Sequence, residues 1–501
     1  MPALQNLATY LHGVMHMGVS NSSTTVTNFM GAMCVFALLG AFLSDSYITC
    51  SRTMLLAVPL VILGFGLLAL QAHLPSLHPP KCNAKEDATN CEEVDGWRAG
   101  LLYIALYTVA LGEGFMRASV PTLGADQFDG DDPYEARQKS SFFNWFTFCT
   151  SIGSIAGLIL IVWLQNSKGW DVGFGLGALL ILLGWLVAAS GLPFYRNRVP
   201  QGSALTLIVQ VFVVAFKNRT LELPEKKEEA QENCDEIHSK EVPRPSNGLN
   251  RFLDKACVNT GRDDAWAVCS AEKVEETKAV LGMLPIVLSA TVAHVSSPLL
   301  VAFTVQQGAT TDTRLGGVHV YPAMLYVIPS TFQMLTLVAY DRLLVPLLRR
   351  RTGLLGGVTD LQRAGAGFLA VIKRAEDLRK RFFLLGVAET MSFAGLLGFF
   401  SGEAPPGMKS IGVAFFWCHN GMSSLLGTLL VRLVNRATGG GHGRGWLEGR
   451  NLDGTRLDLF YWVVAAVALL GWLNFLYWAK RYRYRHDPRI PVKPANEDSQ
   501  P

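Results

Sequence analysis

Ten apolar stretches, each about 20 residues long, recur along this chain and limit its fold more than any other feature. Half of the 501 residues are hydrophobic and only 17% are charged, which is too apolar for a soluble protein. Because a segment in lipid must satisfy its own backbone hydrogen bonds, each stretch is predicted to form a transmembrane helix. The predicted spans are 26–47, 52–75, 99–122, 142–164, 171–193, 277–303, 318–347, 382–401, 409–435 and 457–480.

Basic residues set the predicted orientation of these helices. Lysine and arginine cluster after alternate spans, for example at Arg52, Arg137, Arg196 and Arg349, and again in the final run KRYRYRHDPR. Cytoplasmic loops of membrane proteins carry an excess of these residues. The corresponding helix ends are therefore predicted to be cytoplasmic.

A long polar connector divides the chain into two halves. It includes LPEKKEEAQENCDEIHSKEVPRPSN, whose charge and proline content predict a solvated, partly disordered loop. Within the connector, the apolar stretch 202–216 is too short to span and is predicted to lie along the inner membrane surface. The predicted organisation is an N-terminal helix bundle at 1–199, a cytoplasmic linker at 200–274, a C-terminal helix bundle at 275–484 and a cytoplasmic tail at 485–501.

An ionisable pair stands inside the predicted span 99–122. Glu113 and Arg117 are four residues apart in an otherwise apolar helix. A charge near the bilayer centre costs about 2.5–3.5 kcal/mol on insertion scales, so it normally faces a water-filled cavity or a partner and marks a transport path. The pair predicts a substrate site in a membrane transporter. The alternative is local, because Glu113 lies on the same helical face and can neutralise Arg117 in an intrahelical pair.

The two halves share a weak sequence similarity at two predicted cytoplasmic helix ends. GAFLSDSYITCSRTM (40–54) resembles LVAYDRLLVPLLRRRTG (337–353), and each has an aspartate followed by basic residues. Such an aspartate can cap a neighbouring helix end and pair with arginine, in contacts that break and re-form as two bundles rock. Asp45, Asp341 and Arg342 are therefore predicted to act in gating. An ordinary interfacial turn is the alternative.

Several classes of function lack their motifs in this sequence. Nine cysteines form no CxxC pair and no Cys/His cluster at zinc spacing, so neither a metal site nor a cofactor is expected. The absence of a Gly-Lys dipeptide disfavours ATP as the driver, and the absence of HExxH and GxSxG disfavours a membrane-embedded enzyme. Nucleic-acid binding has no support. Cys82 and Cys91 share one polar loop, and a disulfide between them is predicted if that loop is extracytoplasmic.

Two motifs, GADQFD (124–129) and SFFNWF (141–146), resemble the signature of the plant nitrate/peptide transporters. These belong to the proton-dependent oligopeptide transporters (POT/PTR) of the major facilitator superfamily. Further similar segments extend along the chain, among them LLGAFLSDSY, LPFYRNRVP, FTVQQG and EAPPGMKS. The resemblance implies an all-α membrane protein with two six-helix bundles, here about ten complete helices and two remnants. It also implies import of nitrate, peptides or hormones, mostly with protons.

The resemblance also implies roles for individual residues. GFMRASVPTLGADQF is similar to the subgroup associated with uptake of abscisic acid and gibberellin, and its Arg117 takes the place of the basic residue that meets an anionic substrate. Glu389 falls on the acidic position where protonation is coupled to gating, with a structural hydrogen bond as the alternative. His419 and Asn420 either line the cavity or form hydrogen bonds between helices, and Asn420 is counted with Arg117 and Glu113 among the predicted substrate-binding residues. His294 does not match a histidine of nitrate-selective relatives and is interpreted as a packing residue. The plasma membrane is the expected location, with the tonoplast as the alternative, and the oligomeric state stays open.

The sequence departs from the family pattern at two helices. MPALQNLATYLHGV is similar to the tail of the first family helix, so the proton motif of that helix has no counterpart. The ninth helix keeps about a dozen apolar residues, which rise about 18 Å against about 30 Å of hydrocarbon. Either this remnant forms a half-span, or the bundle misassembles or inverts, or the gene model is incomplete. We therefore expect this chain to transport poorly or not at all, as an incomplete product or a non-transporting paralogue.

Overall fold

The computed structural model of the chain describes most of the residues that the predictions concern. The described residues are 4, 6–17, 19–79, 93–129, 132–197, 204–220, 248–258, 266, 269–300, 314–315, 318–319, 321–354, 356–372, 378–405, 408–439, 445–447 and 456–484. The predicted disulfide Cys82–Cys91 lies outside them, as do the charged part of the linker and the C-terminal tail.

Helices make up nearly all of the described structure. In the N-terminal half and the linker they are α1 (Leu7–Gly13), α2 (Val19–Ser46), α3 (Cys50–His73), α4 (Gly96–Ala125), α5 (Pro133–Ser167), α6 (Trp170–Ser190), α7 (Ala204–Lys217) and α8 (Gly248–Asp254). In the C-terminal half they are α9 (Ala271–Ala293), α10 (Val327–Ala339), α11 (Val345–Thr352), α12 (Asp360–Ile372), α13 (Leu378–Glu403), α14 (Lys409–Thr438) and α15 (Leu457–Arg481). A π-helical turn, Tyr340–Leu344, joins α10 to α11.

All ten predicted spans correspond to long helices. Within the described residues, nine helical segments are long and apolar enough to cross a membrane. The tenth, α14, has 30 residues and is the more polar one, because it carries His419, Asn420 and three serines along its length. Local sequence explains where some helices begin: Thr49 caps α3, and Asp132 followed by Pro133 opens α5.

The predicted helix 318–347 is wrong at its start. Val318–His319 forms a short antiparallel pair with Arg314–Leu315, with Arg314 opposite His319. The helical path begins only at Pro322, in a 3₁₀ turn that leads into α10. Proline is favoured at the first helical position because it has no N–H to leave unsatisfied. Residues 318 and 319 therefore belong to a strand rather than to the start of the span.

Close backbone contacts fix α4, the helix of Arg117, between α2 and α3. A Cβ atom on Gly112 would lie 2.7 Å from the carbonyl oxygen of Ala57. A Cβ atom on Gly114 would lie 2.8 Å from the carbonyl oxygen of Met33. Small residues let membrane helices approach this closely. The two glycines therefore allow α2 and α3 to pack against α4 from two sides. Arg117 is thereby carried on a rigid element.

The short apolar remnant predicted before the span 382–401 is present as α12. The 13 residues of α12 rise about 20 Å and run antiparallel to α13. Gly395 of α13 faces the backbone of Asp360 at one end of α12, and Gly367 faces Ala388 and Ser392 near the other end. The Glu403 end of α13 therefore lies at the same end as Asp360. Inversion of the later helices, one of the alternatives left by the sequence, is not seen.

The predicted interfacial helix is confirmed as a helix. The 14-residue α7 buries Val211, Val214 and Ala215 in a small cluster with residues of α8 and α9. Val209 and Phe216 on its other side are about half exposed. A helix that covers the protein with one apolar face and exposes another suits a membrane surface.

Glu135 joins the end of α4 to the segment after α6. Its Oε2 accepts a hydrogen bond from the backbone N–H of Asp129 (2.5 Å) and one from Nη1 of Arg196 (3.0 Å). These two donors hold the pKa of the Glu135 carboxyl below its usual value. A carboxyl whose pKa is lowered on folding contributes stability above its unfolded pKa of about 4.3. That contribution is lost as the pH falls through the folded pKa.

We therefore expect the Asp129 amide to lose protection from hydrogen exchange as the pH falls from about 6 to about 3. The measurement is hydrogen–deuterium exchange, corrected for the intrinsic effect of pH on the exchange rate. In Glu135→Gln protection should be low at both pH values, because no charge remains to lose. The same pH response in this variant would assign the effect to another group.

Candidate functional site

Arg117 lies where the N-terminal half meets the C-terminal half. Its guanidinium carbon is 4.0 Å from the ring centroid of Trp417, on α14. The indole Nε1 of Trp417 donates a hydrogen bond of 2.9 Å to the carbonyl oxygen of Arg117. A guanidinium over an indole face is a favourable cation–π contact. Residues of α4 and α14 thus hold each other across the interface between the halves.

The guanidinium of Arg117 contacts no acidic side chain among the described residues. Its Nε is buried and forms no hydrogen bond, and the side chain as a whole is half-buried. Glu113 lies close enough to act electrostatically on Arg117. Within the described residues, however, no nitrogen–oxygen contact of 4.0 Å or less joins the two side chains. The intrahelical ion pair considered from the sequence is not formed, because Arg117 stacks on Trp417 instead.

Asn420 lies one helical turn beyond Trp417 on α14. Its side chain is half-buried, and its amide forms no hydrogen bond in the part of the chain that the structure describes. Residues three apart on a helix share a face, so this amide is on the same side of α14 as the indole that covers Arg117. The placement fits the predicted cavity-lining role.

Glu389 on α13 meets two residues that follow α9. The Ser297 hydroxyl donates a hydrogen bond to its Oε1, and Nε2 of His294 lies 3.8 Å from the same oxygen. Only 19% of the Glu389 side chain is exposed. The carboxyl therefore sits in a polar pocket between helices, next to an imidazole.

His294 was interpreted from the sequence as a packing residue, and the structure places it among polar groups that this interpretation did not include. A packing histidine is expected to have its ring nitrogens satisfied, but Nδ1 of His294 is buried with no hydrogen-bond partner among the residues that the structure describes. Its ring centroid is 5.5 Å from that of His419. The available signal was Ser297, three residues later, which places two polar groups together in an apolar span. Among the described residues, no group of three His, Cys, Asp or Glu side chains is placed to hold a metal ion.

Asp45 and Asp126 connect the halves at the predicted cytoplasmic end. Asp45 Oδ2 accepts a hydrogen bond of 3.2 Å from the backbone N–H of Ile411, in the first turn of α14. Oδ1 of Asp126 lies 2.9 Å from Nζ of Lys409, at the start of the same helix. Carboxylates stabilise a helix N-terminus by satisfying its free N–H groups and its positive dipole end. Asp45 thus caps α14, as the gating hypothesis requires.

Asp341 makes a different contact from the predicted one. Its Oδ1 accepts hydrogen bonds of 2.9 Å from Ser141 Oγ and from Asn144 Nδ2, both on α5. It therefore contacts side chains along α5 rather than a helix end or an arginine. Arg342 is exposed and lies over the Trp145 ring at 5.6 Å. The π-helical turn that contains both residues directs Asp341 to α5 and Arg342 outward.

The Lys409–Asp126 pair should hold the cytoplasmic end closed. Replacing Lys409 with methionine removes this ion pair from the mostly buried Asp126 carboxylate, which costs about 1.5–3 kcal/mol. Cys50 reports on opening, because its Sγ is half-buried, 3.4 Å from Ser410 Oγ. We expect Lys409→Met to raise the rate at which a membrane-impermeant maleimide labels Cys50 by about 10-fold.

A Cys50→Ser variant gives the background labelling in that experiment. Adding Asp126→Asn to Lys409→Met should reduce the labelling, because the mostly buried negative charge is then removed as well. Unchanged labelling of Cys50 in Lys409→Met would show that the pair does not act as a latch.

Comparisons with known proteins agree with one another. A model of the POT family, PTR2, matches residues 51–372. Protein NRT1/PTR FAMILY 4.6 of Arabidopsis thaliana is 34% identical, over 96% of this chain and 90% of its own length. Protein NRT1/PTR FAMILY 4.4 of the same plant is 36% identical, over 95% of this chain and 84% of its own.

Solved structures share the fold at low sequence identity. A crystal structure of an auto-inhibited POT family peptide transporter has a TM-score of 0.64 and 18% identity, and the match covers 99% of this chain and 96% of that one. The POT family transporter PepTSo has a TM-score of 0.62 and 17% identity, covering 96% and 94%. A peptide transporter POT in complex with sulfate has a TM-score of 0.59 and 15% identity, covering 96% and 91%.

Proposed function

The chain belongs to the POT family of multi-pass membrane transporters, which are not enzymes, and on that premise we propose that it is a proton-coupled symporter of anions. The proposed substrates are nitrate or an organic anion such as abscisic acid, gibberellin or a small peptide with a free carboxylate. The transporter works by alternating access, and the plasma membrane is its proposed location.

The guanidinium of Arg117 is the observation that carries this proposal. It is always charged, it has no acidic contact, and its face is held by an indole from the other half. The planar guanidinium can donate two parallel N–H hydrogen bonds to the two oxygens of a carboxylate or nitrate. The electrostatic effect of Glu113 lowers the free-energy cost of the Arg117 charge, while the guanidinium N–H groups stay available for a substrate. An anion bound there would also contact the half that carries Trp417 and Asn420.

The cytoplasmic contacts support alternating access. Asp45 with Ile411, Asp126 with Lys409, and Asp341 with Ser141 each join one half to the other. All three are polar, so water can replace the lost partners when the halves separate. Contacts of this kind form a gate that opens and closes at a cost of a few kcal/mol.

Two pieces of support come from the relatives. Two of the similar plant proteins bear the name of the NRT1/PTR family, and one similar solved structure is a peptide transporter in complex with sulfate. These names suit an anionic substrate but do not choose among nitrate, hormones and peptides. The choice depends on the apolar residues of the cavity.

A non-transporting relative is the second candidate. One observation favours it: α12 has 13 residues, about 20 Å of rise, whereas a span needs about 30 Å. A half-span leaves one corner of the C-terminal bundle with less helix to exclude water and lipid. Such a protein would keep the fold and the Arg117 site but would not accumulate substrate.

Uptake by the full chain in proteoliposomes separates the two candidates. With an inward proton gradient, a symporter should accumulate labelled nitrate, abscisic acid or dipeptide above its external concentration, and a protonophore should collapse that accumulation. A facilitator would equilibrate the probe without accumulation. No uptake of any probe, with binding retained, would favour the non-transporting relative over the symporter.

A further inference from the structure

Four polar side chains from three elements meet in the C-terminal half. His294 and Ser297 come from the end of the α9 span, Glu389 from α13 and His419 from α14. His294, Ser297 and His419 are each at most 6% exposed. A cluster of this kind inside a span needs a function, because polar groups at membrane depth are costly unless they are used or fully satisfied.

The cluster is not fully satisfied. Glu389 accepts a hydrogen bond from the Ser297 hydroxyl. Its Oε1 also faces Nε2 of His294, but the 3.8 Å between these two atoms is too long for a hydrogen bond. Nδ1 of His294 has no hydrogen-bond partner within the described part of the chain. The imidazole therefore has room to change its protonation state without breaking an existing bond.

We propose that Glu389 and His294 hold one transported proton jointly, so that His294 is a second proton-coupling residue. The inference rests on the proposed symport function and adds a residue to it. Without the extra proton, the carboxylate faces a neutral ring with hydrogen on Nε2, and the pair carries one negative charge. A proton from outside water then binds either to the carboxyl or to Nδ1 of the ring, and the pair becomes neutral. Release to the cytoplasm restores the first state.

Groups around the pair limit it to one proton. His419 is held near the carbonyl oxygen of Phe416 through its Nδ1, which keeps hydrogen on that nitrogen. A charged His419 would lie 5.5 Å from a charged His294, and like charges at this distance in a low dielectric repel strongly. The Tyr326 phenol lies near Glu389, whereas α12 presents the apolar Phe368 to the ring of His294. No other cation among the described residues contacts Glu389.

The geometry also separates the proton site from the anion site by one layer of rings. Trp417 covers Arg117, Phe416 is 5.0 Å from Trp417, and His419 is 5.2 Å from Phe416. All three rings belong to one turn of α14. Movement of this turn on anion binding would therefore displace His419 and change its contact with His294. This contact can couple the anion site to the proton site.

Spectroscopy on the full chain in lipid nanodiscs tests the proposal without any substrate. Histidine labelled with ¹⁵N gives imidazole signals, and the His294 signal is assigned by its loss in His294→Gln. Infrared difference spectra follow the Glu389 carboxyl, assigned through Glu389→Gln. We expect the two groups to titrate together, and we expect Glu389→Gln to move the His294 transition by about 1 pH unit or more. An unchanged His294 transition in that variant would overturn the shared proton.

Transport supplies the second readout. In proteoliposomes, His294→Gln should lose proton-driven accumulation of labelled nitrate or abscisic acid by about 10-fold or more, while substrate exchange at equal pH continues. His73→Gln is the matched control, since His73 is 71% exposed and pairs with Asp171 far from the cluster. Normal accumulation in His294→Gln would refute the role. Absence of uptake by the unmodified chain would defeat the proposed function alone, because the spectroscopic test would still stand.

Discussion

Replacing Arg117 with alanine is expected to reduce binding of the anionic substrate by about 100-fold or more. Hydrogen bonds to charged groups contribute about 1.5–3 kcal/mol each, and a planar anion takes two from one guanidinium. No second cation is in contact with Arg117 in the described part of the chain. The measurement is equilibrium binding of labelled nitrate, abscisic acid or dipeptide to the purified full chain. Binding is the better readout than uptake, because it does not require a complete transport cycle.

Two further variants show which property of Arg117 matters. Arg117→Lys keeps the charge but loses the paired N–H donors of the planar guanidinium, so we expect its affinity for the anion to fall about 10-fold. Arg52→Ala is the control, because Arg52 is exposed at the cytoplasmic end of α3 and lies outside the site. If Arg117→Ala binds every probe as the unmodified chain does, the anion site lies elsewhere.

Replacing Gly367 with leucine is expected to undock the half-span and destabilise the C-terminal half. A Cβ atom at this position would lie 2.7 Å from the backbone nitrogen of Ser392 and 2.9 Å from the carbonyl oxygen of Ala388. Backbone atoms of a packed helix cannot move aside as a side chain does, so α12 must shift away from α13. Overpacking of this kind costs about 1–3 kcal/mol, occasionally more.

Thermal unfolding of the purified protein measures the effect of Gly367→Leu. Ala366→Leu is the matched control, because the neighbouring residue is exposed on the other face of α12 and has room for the larger side chain. We expect a lowered Tm for Gly367→Leu only. Equal Tm values for the two variants would mean that α12 does not depend on this contact with α13.

Much of the fold was predictable because each span is a local property of the sequence. Length and hydrophobicity decide whether a segment is stable in lipid, and helix formation satisfies its backbone without any partner. The ten long helices, the short α7 and the truncated α12 were all predicted on this basis. The error at residues 318–321 has the same origin, since hydrophobicity alone does not separate a short strand from the first turn of a helix.

The site was only partly predictable. Arg117 and Glu389 stand out in the sequence, because a charge within an apolar span is rare. The partners that define their chemistry do not stand out. Trp417 is 300 residues from Arg117, and Ser297 is 92 residues from Glu389. From the sequence, Glu113 was the nearest acidic residue and therefore the expected partner of Arg117. His294 was interpreted as a packing residue.

The sequence by itself determined the membrane fold class, the orientation signals, the family and the identity of the charged residues in the spans. These follow from short-range properties, namely hydrophobicity over one helix length and motifs of a few residues. The tertiary structure alone decided that Arg117 stacks on Trp417 instead of pairing with Glu113, that Asp341 contacts α5, that α12 packs antiparallel to α13, and that His294 faces Glu389. Each of these depends on which helix faces meet, and helix packing in lipid is set by close complementarity between faces that are distant in sequence.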